Sequence, residues 1–174
     1  MVLPFCSVQS GFFGRSNINT IPSLAMVMKC ESYQSSLTNA KILIVEDEVI
    51  IAMALEDSVH GFGYLVAGRA TTGQRAIDLA METQPDLALI DIRLDGEMDG
   101  IEAAERIYRR LKIPVIFLTA YSDEETLSRA IRTNPYGYLI KPIRPRELYT
   151  TIETSIYKHR RSWRRRLVSP ASLR

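Results

Sequence analysis

From residue 41 onward, short unbroken apolar runs alternate with stretches whose apolar residues recur every three or four positions. Runs of the first kind, bounded by turn residues, predict strands buried on both faces. They fall at residues 41–45 and 87–90, and further strands are predicted at 64–70, 114–118 and 136–140. Stretches of the second kind predict amphipathic helices. The first carries Ile51, Ala54, Leu55 and Val59 and is stopped by Gly61 and Gly63. The second starts at a Thr72 cap, carries Ala76, Leu79 and Ala80, and is broken by Gln84-Pro85. A loop with Gly96 and Gly100 opens the third, with Ile101, Ala104, Ile107 and Leu111 on one face. Asp123-Glu124-Glu125 opens the fourth, whose spacing predicts Leu127, Ala130 and Ile131 inward. Pro145 opens the fifth, with Leu148, Ile152 and Ile156 on one stripe. Five strands alternating with five helices predict an α/β domain: a doubly wound, five-stranded parallel sheet with helices on both faces.

Composition narrows the setting. The chain has 174 residues, 46% hydrophobic and 24% charged, ordinary for one globular domain with tails. No apolar run approaches the roughly 20 residues of a membrane span. Residues 1–39 are rich in Ser, Asn, Gly and Thr, with weak periodicity, and read as a flexible leader. They lack the charge and cleavage pattern of a signal peptide; translation from Met26 or Met28 is the other reading. Cys6 and Cys30 both lie in the leader. A body without cysteine needs no disulfide, which fits a reducing cytoplasm. Net charge is +2, but from Tyr157 onward there are seven of the 22 Lys/Arg and none of the 20 Asp/Glu. The body is therefore acidic and the tail basic.

Reactive groups collect at the carboxyl ends of the predicted strands, where open α/β sheets place their chemistry. The first strand supplies Glu46 and Asp47, the third Asp91, the fourth Thr119 and the fifth Lys141. Singly, each has a plain role: Asp a cap or turn, Thr a hydroxyl on its own backbone, Lys a solvated charge. Together they are a site. Converging carboxylates repel unless a cation is present, and hard oxygen donors suit Mg²⁺. Lys141 offers a mobile positive charge and Thr119 a hydroxyl donor. His60 and His159 fall on helices away from these ends and read as surface residues. The chemistry such an assembly supports is phosphoryl transfer to a carboxylate, giving an acyl phosphate that shifts a conformational equilibrium.

Five segments, Ile42-Leu-Ile-Val-Glu-Asp-Glu48, Leu89-Ile-Asp-Ile92, Met98-Asp-Gly100, Phe117-Leu-Thr-Ala120 and Tyr138-Leu-Ile-Lys-Pro142, resemble the receiver domain of two-component response regulators. The resemblance covers about residues 40–159, and its specificity lies in the joint order and spacing of the five. It implies a flavodoxin-like sheet with strand order 2-1-3-4-5. It implies Asp91 as phosphoacceptor, Asp47 as a direct Mg²⁺ ligand, Glu46 as a ligand mainly through water, and the backbone carbonyl of Arg93 as another. It implies Thr119 as switch hydroxyl, Lys141 as phosphate-contacting lysine and a cis bond at Lys141-Pro142. Tyr138 matches the switch aromatic, though an aromatic on the last strand also serves as core packing. A sensor histidine kinase or phosphotransfer protein would be the donor, self-phosphorylation and its reversal the sole enzymatic chemistry, and the fourth helix, fifth strand and fifth helix the surface for a downstream protein or a homodimer.

The sequence departs from the family pattern in four places. Glu46 replaces the commoner Asp. The loop from Asp91 to Asp99 is a residue longer than usual and lacks the usual proline. Arg93 and Tyr121 occupy positions that tune phosphoryl lifetime. Asn134-Pro135-Tyr136-Gly137 replaces the more usual Gly-Ala turn. The 160–174 segment is too short for a helix-turn-helix output module. Its arginines complement a helix end or, as the alternative function, bind nucleic acid with the receiver as switch.

Overall fold

A computed structural model describes residues 39–120 and 124–168. Five strands form one parallel sheet in the order β2-β1-β3-β4-β5: β1 Lys41–Val45, β2 Leu65–Ala70, β3 Leu87–Asp91, β4 Val115–Thr119 and β5 Gly137–Ile140. Between and after them come α1 Val49–Gly61, α2 Gly73–Thr83, α3 Gly100–Leu111, α4 Glu124–Arg132 and α5 Pro145–Val168. The unbroken apolar runs become central strands: all five residues of β3 are buried, as are Ile42 to Val45 of β1. Register carries the reactive positions to one edge. Val45 lies beside Ala70 and Ile90, Asp91 beside Leu118, and Thr119 beside Ile140.

Two apolar layers sandwich the sheet. On one face Leu43, Val45, Ile90 and Phe117 pack against Ala76, Ile77 and Ala80 of α2, Ile101, Ala104 and Ile107 of α3, and Ala130 of α4. On the other, Ile42, Ile44, Leu89, Ile116 and Leu118 meet Leu55 and Val59 of α1 and Leu148, Ile152 and Ile156 of α5. Local signals behave as read. Thr72 caps α2, accepting from the Arg75 amide at 3.3 Å, and Gln84 ends that helix at φ 50°.

Two expectations need correction. Ala54 faces solvent; the inward row of α1 is Ala52, Leu55 and Val59. Leu127 and Ile131 of α4 are not inward but 43% and 56% exposed. The row facing the sheet is Thr126, Ala130 and Thr133, with only Ala130 fully buried. Spacing on a helix of nine residues does not say which row turns inward; Arg129, next to the buried row, donates to Asp99 Oδ2 in the loop before α3 at 2.7 Å. The basic segment after residue 159 continues the last helix, with α5 unbroken to Val168. The leader to residue 38, Tyr121 to Asp123, and Ser169-Pro170 lie outside the described residues. Among the described residues, no helix is long and apolar enough to cross a membrane.

Candidate phosphoryl-acceptor site

The carboxyl ends of β1, β3 and β5 converge on one ammonium group. Lys141 Nζ donates to Glu46 Oε1 at 2.8 Å and to Asp91 Oδ2, with Glu48 Oε1 farther off at 3.8 Å. The Glu46 and Asp91 carboxylates are nearly sequestered, whereas that of Glu48 is two-thirds exposed. Pro142 follows in a cis peptide. The backbone around the cluster is pinned. The Glu46 amide donates to Ala70 O at 2.9 Å, the Ile92 amide to Leu118 O at 3.0 Å, and the Lys141 amide to Thr119 O at 2.8 Å. The second oxygen of Asp91 accepts from the Arg93 amide at 3.0 Å. Asp47, half-buried, accepts from the Asp95 amide at 3.2 Å, so the long β3–α3 loop folds back onto β1.

Burial pushes the Glu46 carboxyl up to about 7 from its ordinary 4.5, and the charge of Asp91 adds to that, against the opposing bond from Lys141. For Lys141, burial alone would lower the pKa. Its bonds to Asp91 and Glu46 outweigh burial and hold the ammonium above the usual lysine value. A single cation thus serves two buried anions, and Glu46 Oε2 has no hydrogen-bond partner among the described residues. Carboxylate oxygens of Glu46, Asp47 and Asp91 lie within 4.8 Å of one another. Three hard oxygen donors, one of them a buried orphan, fit a divalent cation of the Mg²⁺ class.

Thr119 stands half-buried at the end of β4, beside the cluster. Tyr138 pairs with Phe117 across β4 and β5, the ring centroids 5.9 Å apart. Its ring is partly buried and packs against the core, and its hydroxyl is buried without a partner among the described residues, so burial pushes its pKa up. Packing and a poised hydroxyl are both present in this one residue.

Two residues of the Met98-Asp-Gly100 segment have supporting roles that the sequence reading did not assign. A Cβ at Gly100 would stand 1.8 Å from the carbonyl oxygen of Asp91, so only glycine lets α3 start against the Asp91 backbone. Asp99 caps α3 through Oδ1, accepting from the Glu102 amide at 2.9 Å, while Oδ2 takes Arg129. The Asp99-x-x-Glu102 spacing of a capping box was the available signal. His159 also departs from the expected surface role: it is half-buried, and its Nδ1 shares a 3.0 Å hydrogen bond with Tyr136 Oη. His60 is exposed, as expected.

Comparison with known proteins gives a consistent picture. Residues 42–153 match the response regulator receiver domain family. Transcriptional regulatory protein PdtaR of Mycobacterium tuberculosis is 35% identical over 120 residues, 69% of this chain and 58% of that one. Phyllosphere-induced regulator PhyR of Methylorubrum extorquens is 37% identical over 126 residues, 72% of this chain and 46% of its own length. The signal receiver domain of a modulated diguanylate cyclase from Desulfovibrio desulfuricans superposes with a TM-score of 0.69 at 40% identity, covering 71% of this chain and 98% of that domain. The chain thus spans about half the length of the curated relatives it matches.

Proposed function

The chain belongs to the response regulator receiver family of two-component signalling, and on that premise we propose that it is a phosphorylation-controlled module whose acceptor is Asp91. The donor is a sensor histidine kinase or a phosphotransfer protein, in the cytoplasm, and the output is a changed protein-interaction surface. The observation that carries this reading is the buried Glu46–Lys141–Asp91 arrangement with Asp47 alongside. Glu46, Asp47, Asp91 and the Arg93 carbonyl would hold Mg²⁺, which when bound neutralises charge on a transferring phosphoryl group.

The chain's own groups do the rest. An Asp91 carboxylate oxygen attacks phosphorus; a P–O bond forms as the donor's P–N bond breaks, and the electron pair leaves on the imidazole nitrogen. Lys141, already on Asp91 Oδ2, follows the added charge onto a phosphoryl oxygen. Thr119 reaches the same group through its hydroxyl and draws the end of β4 inward. Tyr138, on the neighbouring strand with an unpartnered hydroxyl, gains a reason to repack. The surface these strands and α4 border displays Leu127, Ile131 and Ile140, which suits docking of a partner or a second copy. Beyond accepting and releasing its own phosphoryl group, the chain has no enzymatic role in this reading.

The chemical test is the lability of the adduct. Incubation with Mg²⁺ and acetyl phosphate should give a product that hydroxylamine removes, as it does from acyl phosphates. An adduct stable to hydroxylamine, a phosphoester on a hydroxyl side chain, would contradict the assignment.

A further inference from the structure

The pole opposite the acceptor has a chemistry of its own. At the amino ends of β4 and β5, between the last turns of α3 and α4, lies a groove of about 300 Å³. Its cations are Lys112, Arg109 and Arg132, and its aromatics are Tyr108 and Tyr136; Glu105 is also on its wall. Arg109 pairs with Glu105 at 3.2 Å. Lys112 sits over the Tyr108 ring at 5.1 Å. Arg132 is exposed and makes no ion pair among the described residues. From the groove an aromatic row runs out along α5. Tyr136 packs edge-on against His159 at 5.5 Å, and His159 against Trp163 at 6.4 Å, with Trp163 40% exposed.

That row lies on a strongly basic helix. Ile156 is the last fully buried residue of α5 in the stretch up to Trp163. The 12 residues from Tyr157 to Val168 include Lys158, Arg160, Arg161, Arg164, Arg165 and Arg166 and no acid. They extend about 18 Å as a helix. Two such helices side by side would repel, which argues against a second copy as the occupant. At 3.6 residues per turn the basic positions fall on all sides except the narrow row of positions 159, 163 and 167. A helix lying in a membrane interface needs a broad apolar face instead. Basic positions flanking His159 and Trp163 match a flexible polyanion whose bases can stack.

We propose that this pole binds single-stranded nucleic acid, with Lys112, Arg132 and the arginines of α5 on phosphates and Trp163 and Tyr136 as stacking platforms. The acidic acceptor pole, with Glu46, Asp47, Glu48 and Asp91, repels such a ligand and leaves this end as its place. The assignment is independent of phosphoryl transfer.

The test is fluorescence anisotropy of the full chain with a labelled single-stranded RNA of about 20 nucleotides, titrated between about 50 and 200 mM salt. The affinity should fall steeply with salt. Replacing Arg164, Arg165 and Arg166 together by Ala should lower the log–log slope by about 2. Trp163→Ala should weaken binding by about 5- to 100-fold, and Lys112→Glu with Arg132→Glu by at least about 10-fold. Circular dichroism would verify that each variant is folded. The proposal would be overturned by no binding at about 50 mM salt, by binding indifferent to Trp163→Ala and to the Lys112/Arg132 pair, or by a preference for phosphatidylserine vesicles over RNA. Equal affinity for a duplex of the same sequence would also overturn it.

Discussion

At Lys141 a single side chain keeps two buried carboxylates from facing each other unscreened. Removing one partner of a buried ion pair is far more costly than the pair's net contribution, because a buried charge is left uncompensated. Lys141→Ala should therefore destabilise the metal-free protein at pH 8 by about 3 kcal/mol, and Mg²⁺ should restore much of it; a variant as stable as the parent in EDTA would contradict this. Glu46 gives a pH signature of known sign. Its carboxyl, pushed up to about 7, holds a proton in the native state that the unfolded chain has released above 4.5. The native state binds more protons across that window, so stability falls as pH rises through it. Lys141, raised above its ordinary value, stays charged throughout and adds no slope. In EDTA, Glu46→Gln should remove this fall, gaining on the parent by at most about 3 kcal/mol between pH 5 and pH 8; parallel melting curves across pH would contradict it. Gly100→Ala should destabilise by about 3 kcal/mol, since the added methyl meets the Asp91 carbonyl rather than a side chain that can turn away.

At the level of elements, α4 is the informative one. Its apolar residues at 127, 130 and 131 suggested one buried stripe, but spacing alone cannot say which row faces inward on a helix of nine residues. The inward row holds Ala130 between two threonines, and beside it Arg129 tethers α4 to Asp99, 30 residues away, a pairing that no local pattern announces. An exposed pair of this kind is worth less than about 1 kcal/mol. Arg129→Ala should thus leave the melting temperature nearly unchanged while speeding hydrogen exchange of the amides of residues 126–133; unaltered exchange would show that the tether does not hold the helix. Leu127→Gln with Ile131→Gln should change stability by no more than about 0.5 kcal/mol, which chemical denaturation would check, whereas a large loss would put them back in the core. The end of α4 was also beyond sequence reading. Asn134 adopts φ 52° there, doing with a polar side chain what glycine does in the more usual turn.

For the molecule as a whole, what the sequence conveyed well was whatever depends on strand ends. A parallel sheet puts every carboxyl end on one edge, so Glu46, Asp47, Asp91, Thr119 and Lys141 could be gathered before any coordinates were known. What it conveyed poorly depends on approach between distant segments: Asp99 with Arg129, Gly100 with Asp91, and Tyr136 with His159. The result is a bipolar domain, acidic at the end that would accept phosphate and basic along the far end and α5. The central claim concerns the acidic end, and intact-mass spectrometry tests it most directly. The full chain and an Asp91→Asn variant would be incubated with acetyl phosphate, with Mg²⁺ or with EDTA. The account predicts one phosphoryl adduct on the parent with Mg²⁺, none with EDTA and none on the variant. An adduct that persists on Asp91→Asn, or a parent that stays unmodified with both acetyl phosphate and a phosphorylated histidine kinase as donor, would contradict it.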